Sequence, residues 1–249
     1  MLRSGETSAT IAQRPCLASW KQRKGALADT PREEKALATD RLMLEPRLPE
    51  HAALLFEGLA DERLYRFIPQ NAPESVETLE ARYRRLSSRR SPDGLQVWLT
   101  FAMRLRERAT YLGTLEVTVF PDRSAYLAYT VFVPFWRQGY AREGCARMLR
   151  HLVEDHGVRV VTAEMDTRNA ASVALAESLG FEWVGTTLGA DHFKGSVSDE
   201  HRYELRVQGD KLKCLLSAGT VADVGLVGWV GGTGTAAREE GEDDGPGTE

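Results

Sequence analysis

Residues Phe135-Trp136-Arg137-Gln138-Gly139-Tyr140-Ala141-Arg142-Glu143-Gly144 lie between a strand-like run that ends at Pro134 and a helix-like run that reaches His151. A strand that turns through a glycine into a helix can hold an anion. The first helical turn leaves backbone N–H groups unpaired, and the macrodipole adds about half a positive charge there. Gly139 lets the backbone approach a ligand with no Cβ in the way. Arg137 and Arg142 add cationic side chains on either side. The pattern points to a phosphate or pyrophosphate. The chain has no G-x-x-x-x-G-K-[ST] and no G-x-G-x-x-G after a strand, which argues against P-loop and dinucleotide sites.

About thirty residues later, Ala163-Glu164-Met165-Asp166-Thr167-Arg168-Asn169-Ala170-Ala171-Ser172 leads into Leu175 and Leu179-Gly180-Phe181. Together the two segments resemble the acetyl-CoA-binding half of the GNAT N-acetyltransferases. That family carries a (Gln/Arg)-x-x-Gly-x-(Gly/Ala) turn, a strand, an N-x-x-S helix start and a closing LGF. Thr39-Asp40-Arg41-Leu42-Met43-Leu44 is similar to the first strand of its RimJ/RimL-like branch, and Leu112-Gly113-Thr114-Leu115 to its third. The likeness runs from Thr39 to Val207. The first motif position departs from the pattern, with Trp136 for Gln or Arg, so this side chain is expected to pack beside the cofactor.

The resemblance implies acetyl-CoA as co-substrate, with no metal. Its pyrophosphate would meet the amides of Gln138, Gly139, Tyr140, Ala141 and Arg142. Its pantetheine behaves like a short peptide and can add to a sheet where two strands splay apart. In the family that gap lies beside the strand before the turn, here Val131 to Val133, and Pro134 would end the ladder. Asn169 is expected to hold pantetheine, to cap its helix, or both.

Acetyl transfer to an amine needs a neutral amine, a stabilised oxyanion and a departing thiolate. A lysine-like amine is neutral about once in 10³ at pH 7, and an α-amine roughly a tenth of the time. The first therefore needs a base. Glu164, five residues before Asn169, stands where related N-terminal acetyltransferases carry a glutamate; Glu116, in an earlier strand, is its rival. Either would otherwise be a solvated or ion-paired strand carboxylate. Some family members place a tyrosine seven residues after the Asn, and Ala176 stands there instead. Ser172 and Tyr203 are the remaining candidates for protonating the thiolate. Cys145 sits on an apolar stripe and reads as a packing residue. The resemblance implies a primary-amine acceptor. A protein N-terminal α-amine is one form; the alternatives are a small amine (antibiotic or polyamine) and a non-catalytic acyl-CoA-binding module.

These residues need an alternating α/β or α+β domain around them, with a mixed, mostly antiparallel sheet and helices on both faces. Strands are expected at Arg41–Arg47, Val97–Leu105, Thr110–Phe120, Ala125–Val133, Val158–Glu164, Phe181–Thr186 and His201–Val207. Helices are expected at Glu50–Ala60, with Ala53, Leu54, Phe56 and Leu59 on or near one face, and at Ser75–Ser87 with Ser75 as N-cap. A third follows Gly139, with Ala141, Cys145, Met148, Leu149 and Leu152 as its packing stripe. A fourth spans Ala170–Leu179, with Gly180 as its stop. The 187–200 segment reads as a loop.

The whole chain sets limits. It is 249 residues long with a net charge of −4, which gives no general attraction to nucleic acid. No apolar run reaches the roughly 18–20 residues a membrane helix needs. Cys16, Cys145 and Cys214 are far apart, and His151 and His156, five residues apart, are not expected to share a helical face. No metal site is therefore expected, and the cysteines fit a cytoplasmic protein. Residues 1–38 read as a flexible segment; their basic residues suggest a transit peptide, against which Glu6 counts. Residues 208–249 read as a Gly-rich acidic tail with an apolar patch around Trp229. The domain between, 39–207, is expected to work as a monomer or homodimer.

Overall fold

The structure, a computed structural model, describes residues 34–207. Five strands run as antiparallel neighbours: β1 (Leu37–Ala38), β2 (Leu42–Pro46), β3 (Val97–Leu105), β4 (Tyr111–Val119) and β5 (Ser124–Val131). β6 (Val160–Asp166) lies parallel to β5. The hairpin of β7 (Glu182–Phe193) and β8 (Ser196–Arg206) places β8 beside β6, so the sheet order is β1-β2-β3-β4-β5-β6-β8-β7. Helices α1 (His51–Leu59) and α2 (Val76–Leu86) cover one face, and α3 (Tyr140–Glu154) and α4 (Ala170–Ser178) the other. This is the mixed, mostly antiparallel sheet with helices on both faces that the sequence led us to expect.

Period-two alternation decides the faces. On β4, Leu115, Val117 and Val119 join the core under α3, which turns Thr114, Glu116 and Thr118 toward α1 and α2. On α3, Cys145, Met148, Leu149 and Leu152 are buried at 1%, 0%, 0% and 0% exposure, so the expected stripe is the packed face. Each such large side chain contributes about 1.5–3 kcal/mol on burial. Ser75 caps α2, its Oγ accepting from the Thr78 N–H at 3.2 Å. On α1, Gly58 allows close approach: a Cβ there would lie 2.2 Å from the Phe132 ring. Phe132 immediately follows β5, so this contact fixes the strand end that borders the site.

Several expectations are corrected. The buried face of α1 is Ala52, Leu55 and Leu59, and Leu54 is 58% exposed. A helix with apolar residues at five consecutive positions from Ala52 offers no clear stripe to read. β5 ends at Val131, because Val133–Phe135 turn into a 3₁₀ segment. Residues 187–200 are mostly strand; side chains exposed on both faces left no alternation to detect. The described fold includes residues before 39: Leu37 is buried and pairs with Leu44, and the Glu34 carboxylate is enclosed. Cys16, Cys214, the basic N-terminal residues, the acidic tail and the Trp229 patch lie outside the described residues.

The α3 stripe sets the position of that helix. Leu149→Ala is expected to lower the unfolding free energy by about 2–5 kcal/mol, measured by urea denaturation. A loss below about 1 kcal/mol would show that α3 is not anchored through this face.

Candidate active site

β5 and β6 pair only through Ser124–Val160, Ala125–Val161 and Tyr126–Thr162. Beyond that point β5 stays on β4 as far as Val131, and β6 stays on β8 as far as Asp166. The two strands therefore diverge inside an otherwise continuous sheet. The Phe132 N–H donates to the Leu112 carbonyl at 2.7 Å. By strand alternation, Tyr129 and Val131 then direct their N–H and C=O groups away from β4, into the opening. The Val131 carbonyl accepts from the Trp136 indole N–H at 2.6 Å, and the Val133 carbonyl from the Trp136 backbone N–H at 3.2 Å. Val133 lies in the turn rather than on the strand, so Tyr129 and Val131 are the strand residues whose backbone faces the opening.

The turn delivers the chain to α3 through Gly139, which has φ +81° and serves as the N-cap residue. Arg137, at φ +59°, also adopts the left-handed conformation. Gln138, Gly139 and Arg142 are exposed, with Tyr140 and Ala141 half-buried, so the helix N-terminus opens outward. Arg41 holds this corner together. Its Nη1 donates to the Gln138 carbonyl at 3.0 Å, its Nε to Glu143 at 2.6 Å, and its guanidinium lies 4.4 Å from the Tyr140 ring centroid. Glu143 is also bound by the Thr39 hydroxyl and the Arg41 N–H, so its charge is locally compensated.

On the α1/α2 face, two carboxylates flank the opening from either side. Glu164 accepts from the Tyr126 hydroxyl at 3.3 Å and from Arg202 at 3.4 Å. Burial raises its pKa above the usual carboxylate value, against the pull of Arg202 and Tyr126. Glu116 differs. Burial would raise its pKa, but Arg47 at 2.7 Å and Arg82 at 3.4 Å lower it below the usual value. Arg47 is 5% exposed and lies 4.2 Å from the Tyr83 ring centroid. Its Nε and Nη2 are buried with no hydrogen-bond partner among the described residues, and the Arg47 side chain borders a cavity shared with Glu116, Arg82, Tyr65 and Thr130.

The opposite face carries the hydroxyls. Asn169 caps α4, its side chain accepting from the Ser172 N–H at 3.2 Å. The Ser172 hydroxyl meets the Tyr129 hydroxyl at 2.9 Å. Burial pushes the Tyr129 phenol up to about 12, although the Ser172 contact favours its ionised form. The sequence reading missed Tyr129, whose only signal was its place two residues before Val131. Tyr203 sits on the α4 side of β8 and donates to Glu177 at 3.2 Å, so it is not gathered with Glu164 or Glu116. Cys145 is buried beneath α3, and burial pushes its thiol up to about 12. That is the state of a packing residue rather than a nucleophile.

A splayed strand pair beside a glycine-capped helix N-terminus fits an acyl-CoA-dependent transferase. The family can be named more closely. Residues 41–182 match the Acetyltransferase (GNAT) domain, and the chain belongs to that family of acetyltransferases. It is 28% identical over 163 residues to the FsC-acetyl coenzyme A-N(2)-transacetylase of Aspergillus fumigatus, covering 63% of this chain and 69% of that protein. The structure of RimL, a ribosomal L7/L12 alpha-N-protein acetyltransferase in complex with coenzyme A, aligns with a TM-score of 0.61 at 18% identity. That alignment covers 70% of this chain and 98% of RimL. The ribosomal-protein-S5-alanine acetyltransferase of Vibrio fischeri gives a TM-score of 0.61 at 15% identity over 70% and 97%. At these identities the structures share the fold. No described helix is long and apolar enough to cross a membrane.

Gly139→Asp is expected to weaken acetyl-CoA binding by about 10²-fold or more, roughly 2.8 kcal/mol. A Cβ there would lie 3.3 Å from Arg41 Nη2 at a left-handed φ, and the carboxylate would add negative charge at the helix end where the pyrophosphate would bind. Calorimetry on the folded variant reads this; unchanged affinity would remove the cofactor from this turn.

Proposed function

We propose that this protein transfers the acetyl group of acetyl-CoA directly to a primary amine whose neighbouring atoms include a carboxylate or peptide carbonyl oxygen. The observation that carries the cofactor side is the β5/β6 divergence leading to the Gly139 helix start. The pyrophosphate would rest on the amides of Gln138 to Arg142, and the pantetheine would run along Tyr129 and Val131. Asn169, as helix cap, would hold the end of α4 against that path. Acetyl-CoA supplies an activated thioester carbonyl; the protein supplies binding, orientation and proton traffic.

Glu164 is assigned as the base. A base must be ionised at the working pH yet willing to take a proton, and a raised carboxylate pKa moves it toward that compromise. Glu116 is held ionised by two guanidinium groups, which suits it to orienting the acceptor. The amine nitrogen would attack the carbonyl carbon and pass its proton to Glu164. The carbon–sulfur bond would break on collapse of the tetrahedral centre. The Tyr129–Ser172 hydroxyl pair would protonate the departing thiolate from the other face. A phenol held near 12 stays protonated at neutral pH and so keeps a proton to give. Tyr203 is bound to Glu177 and is not given this role.

Arg47 supports this reading of the acceptor class. A buried guanidinium with two unpaired nitrogens is costly, about 1–3 kcal/mol for each unsatisfied group. An oxygen on the acceptor would satisfy them beside Glu116. This favours an amino-acid-derived amine or a protein N-terminus over a plain polyamine. The names of the relatives, an N(2)-transacetylase and an alpha-N-protein acetyltransferase, accord with a nitrogen acceptor of this kind.

The test is thiol release from acetyl-CoA over a panel of amines. Peptide N-termini and amino-acid-derived amines should outpace polyamines; preferential turnover of polyamines would reject the Arg47 reading. With the preferred acceptor, Glu164→Gln is expected to reduce kcat/KM at pH 7 by about 10²-fold or more if the amine is lysine-like. The loss should shrink as pH rises toward the amine's own pKa, where the neutral nucleophile is abundant, and should be smaller for an α-amine. In the unaltered enzyme, the acid limb of the rate should lie above the ordinary glutamate range, since Glu164 loses its basic form as pH falls through a raised pKa. Full activity of the variant from pH 6 to 9 would reduce Glu164 to a structural carboxylate.

A further inference from the structure

Far from the opening, the C-terminal end of α3 carries a second cluster of functional groups. α3 ends at Glu154, and Asp155 and His156 lead into Gly157 at φ +63°. This turn folds His156 back beside His151, so the two imidazoles meet although their spacing does not fit one helical face. Their Nε2 atoms are 3.3 Å apart. Glu34, arriving from the segment before β1, directs one oxygen to each ring: Oε2 lies 2.8 Å from His151 Nε2, and Oε1 lies 3.2 Å from His156 Nε2. The side chains of Glu34 and His151 are 6% and 7% exposed, and that of His156 is 16% exposed. Behind them, Asp155 Oδ2 accepts from His151 Nδ1 at 2.7 Å.

We propose that Glu34, His151 and His156 form a binding site for a zinc-type divalent transition-metal ion, with Asp155 orienting His151. Zinc ligands at 2.0–2.2 Å in tetrahedral array stand about 3.3–3.5 Å from one another. The two Nε2 atoms already have that separation, and all the donor atoms lie within 4.8 Å of one another. Two imidazoles and one carboxylate are the donor chemistry of zinc rather than of magnesium or calcium. The Asp155 contact is the carboxylate–histidine arrangement that sets a ligand's tautomer. In the metal-bound state it would hold the proton on Nδ1 and leave the Nε2 lone pair for the ion.

The geometry gives the ion a structural role. The fifteen residues of α3 span about 22 Å at 1.5 Å each, so the ion would act at the end of α3 opposite the Gly139 turn. It would tie the segment before β1 to the end of the helix that presents that turn. His151 also packs edge-on against the Phe101 ring at 6.2 Å between centroids, which joins the site to the core. Binding only to the folded chain, the ion would raise its melting temperature.

The test uses full-length, tag-free protein stripped with a chelator. Zn²⁺ is titrated against a chromophoric chelator, and Co²⁺ is used as a spectroscopic probe. One equivalent of Zn²⁺ should bind, Tm should rise, and Co²⁺ should give a visible band of tetrahedral type. His156→Ala and Glu34→Gln should each weaken Zn²⁺ binding by about 10²-fold or more, and Asp155→Asn by about 10–100-fold. Acetyl-CoA affinity, measured on the same samples, should stay unchanged in all three and so report that they are folded. Absence of stoichiometric Zn²⁺ uptake, or wild-type affinity in all three variants, would overturn the site.

Discussion

The structure depends on the point at which two parallel strands stop pairing. β5 and β6 share three residue pairs and then part, while each remains bonded to its other neighbour. A sheet interior that exposes unpaired N–H and C=O groups is costly unless something meets them. Part of that cost is met within the chain, where the Trp136 indole reaches the Val131 carbonyl. The rest is available to a ligand with amides of its own. The packing works to hold the gap in place. Phe132 is wedged against α1 at Gly58, the α3 stripe sits on the core beneath, and Arg41 fastens the turn that follows.

A ligand passing through a sheet touches both of its faces, and the two faces here are chemically different. The α1/α2 face offers Glu164 with a raised pKa, and Glu116 with a lowered one between two arginines. The α3/α4 face offers the Tyr129–Ser172 hydroxyl pair. In the proposed mechanism, proton acceptance and proton donation would be separated by the thickness of one strand layer. The two glutamates differ by environment rather than by residue type: Glu164 faces a phenol and one arginine at 3.4 Å, whereas Glu116 faces Arg82 at 3.4 Å and Arg47 at 2.7 Å.

What the sequence made legible follows the range of each signal. α2 and α3 could be read because a serine cap, a glycine start and a regular apolar stripe are local. The Gly139 start of α3 and the Asn169 cap of α4 were legible through spacing within two short segments. The α1 face was misread because Ala52 to Phe56 are apolar without interruption. The ends of the β7/β8 hairpin were read as strands, but residues 187–200 were read as a loop because most β7 side chains there are exposed on both sides. The Tyr129–Ser172 contact joins residues 43 apart, and the Glu34–His151 contact joins residues 117 apart. No periodicity carries such pairings. His156 was set aside on helical spacing, and the turn at Gly157 is what makes that argument fail.

The central claim is that acetyl-CoA lies in the β5/β6 opening, with its pyrophosphate on the start of α3. Amide hydrogen exchange with and without acetyl-CoA tests it most directly. The account predicts that slowed exchange concentrates at Tyr129, Val131 and the amides of residues 138–142, with the β1–β3 edge unchanged. Protection centred elsewhere, or no change at those amides under saturating acetyl-CoA, would contradict it.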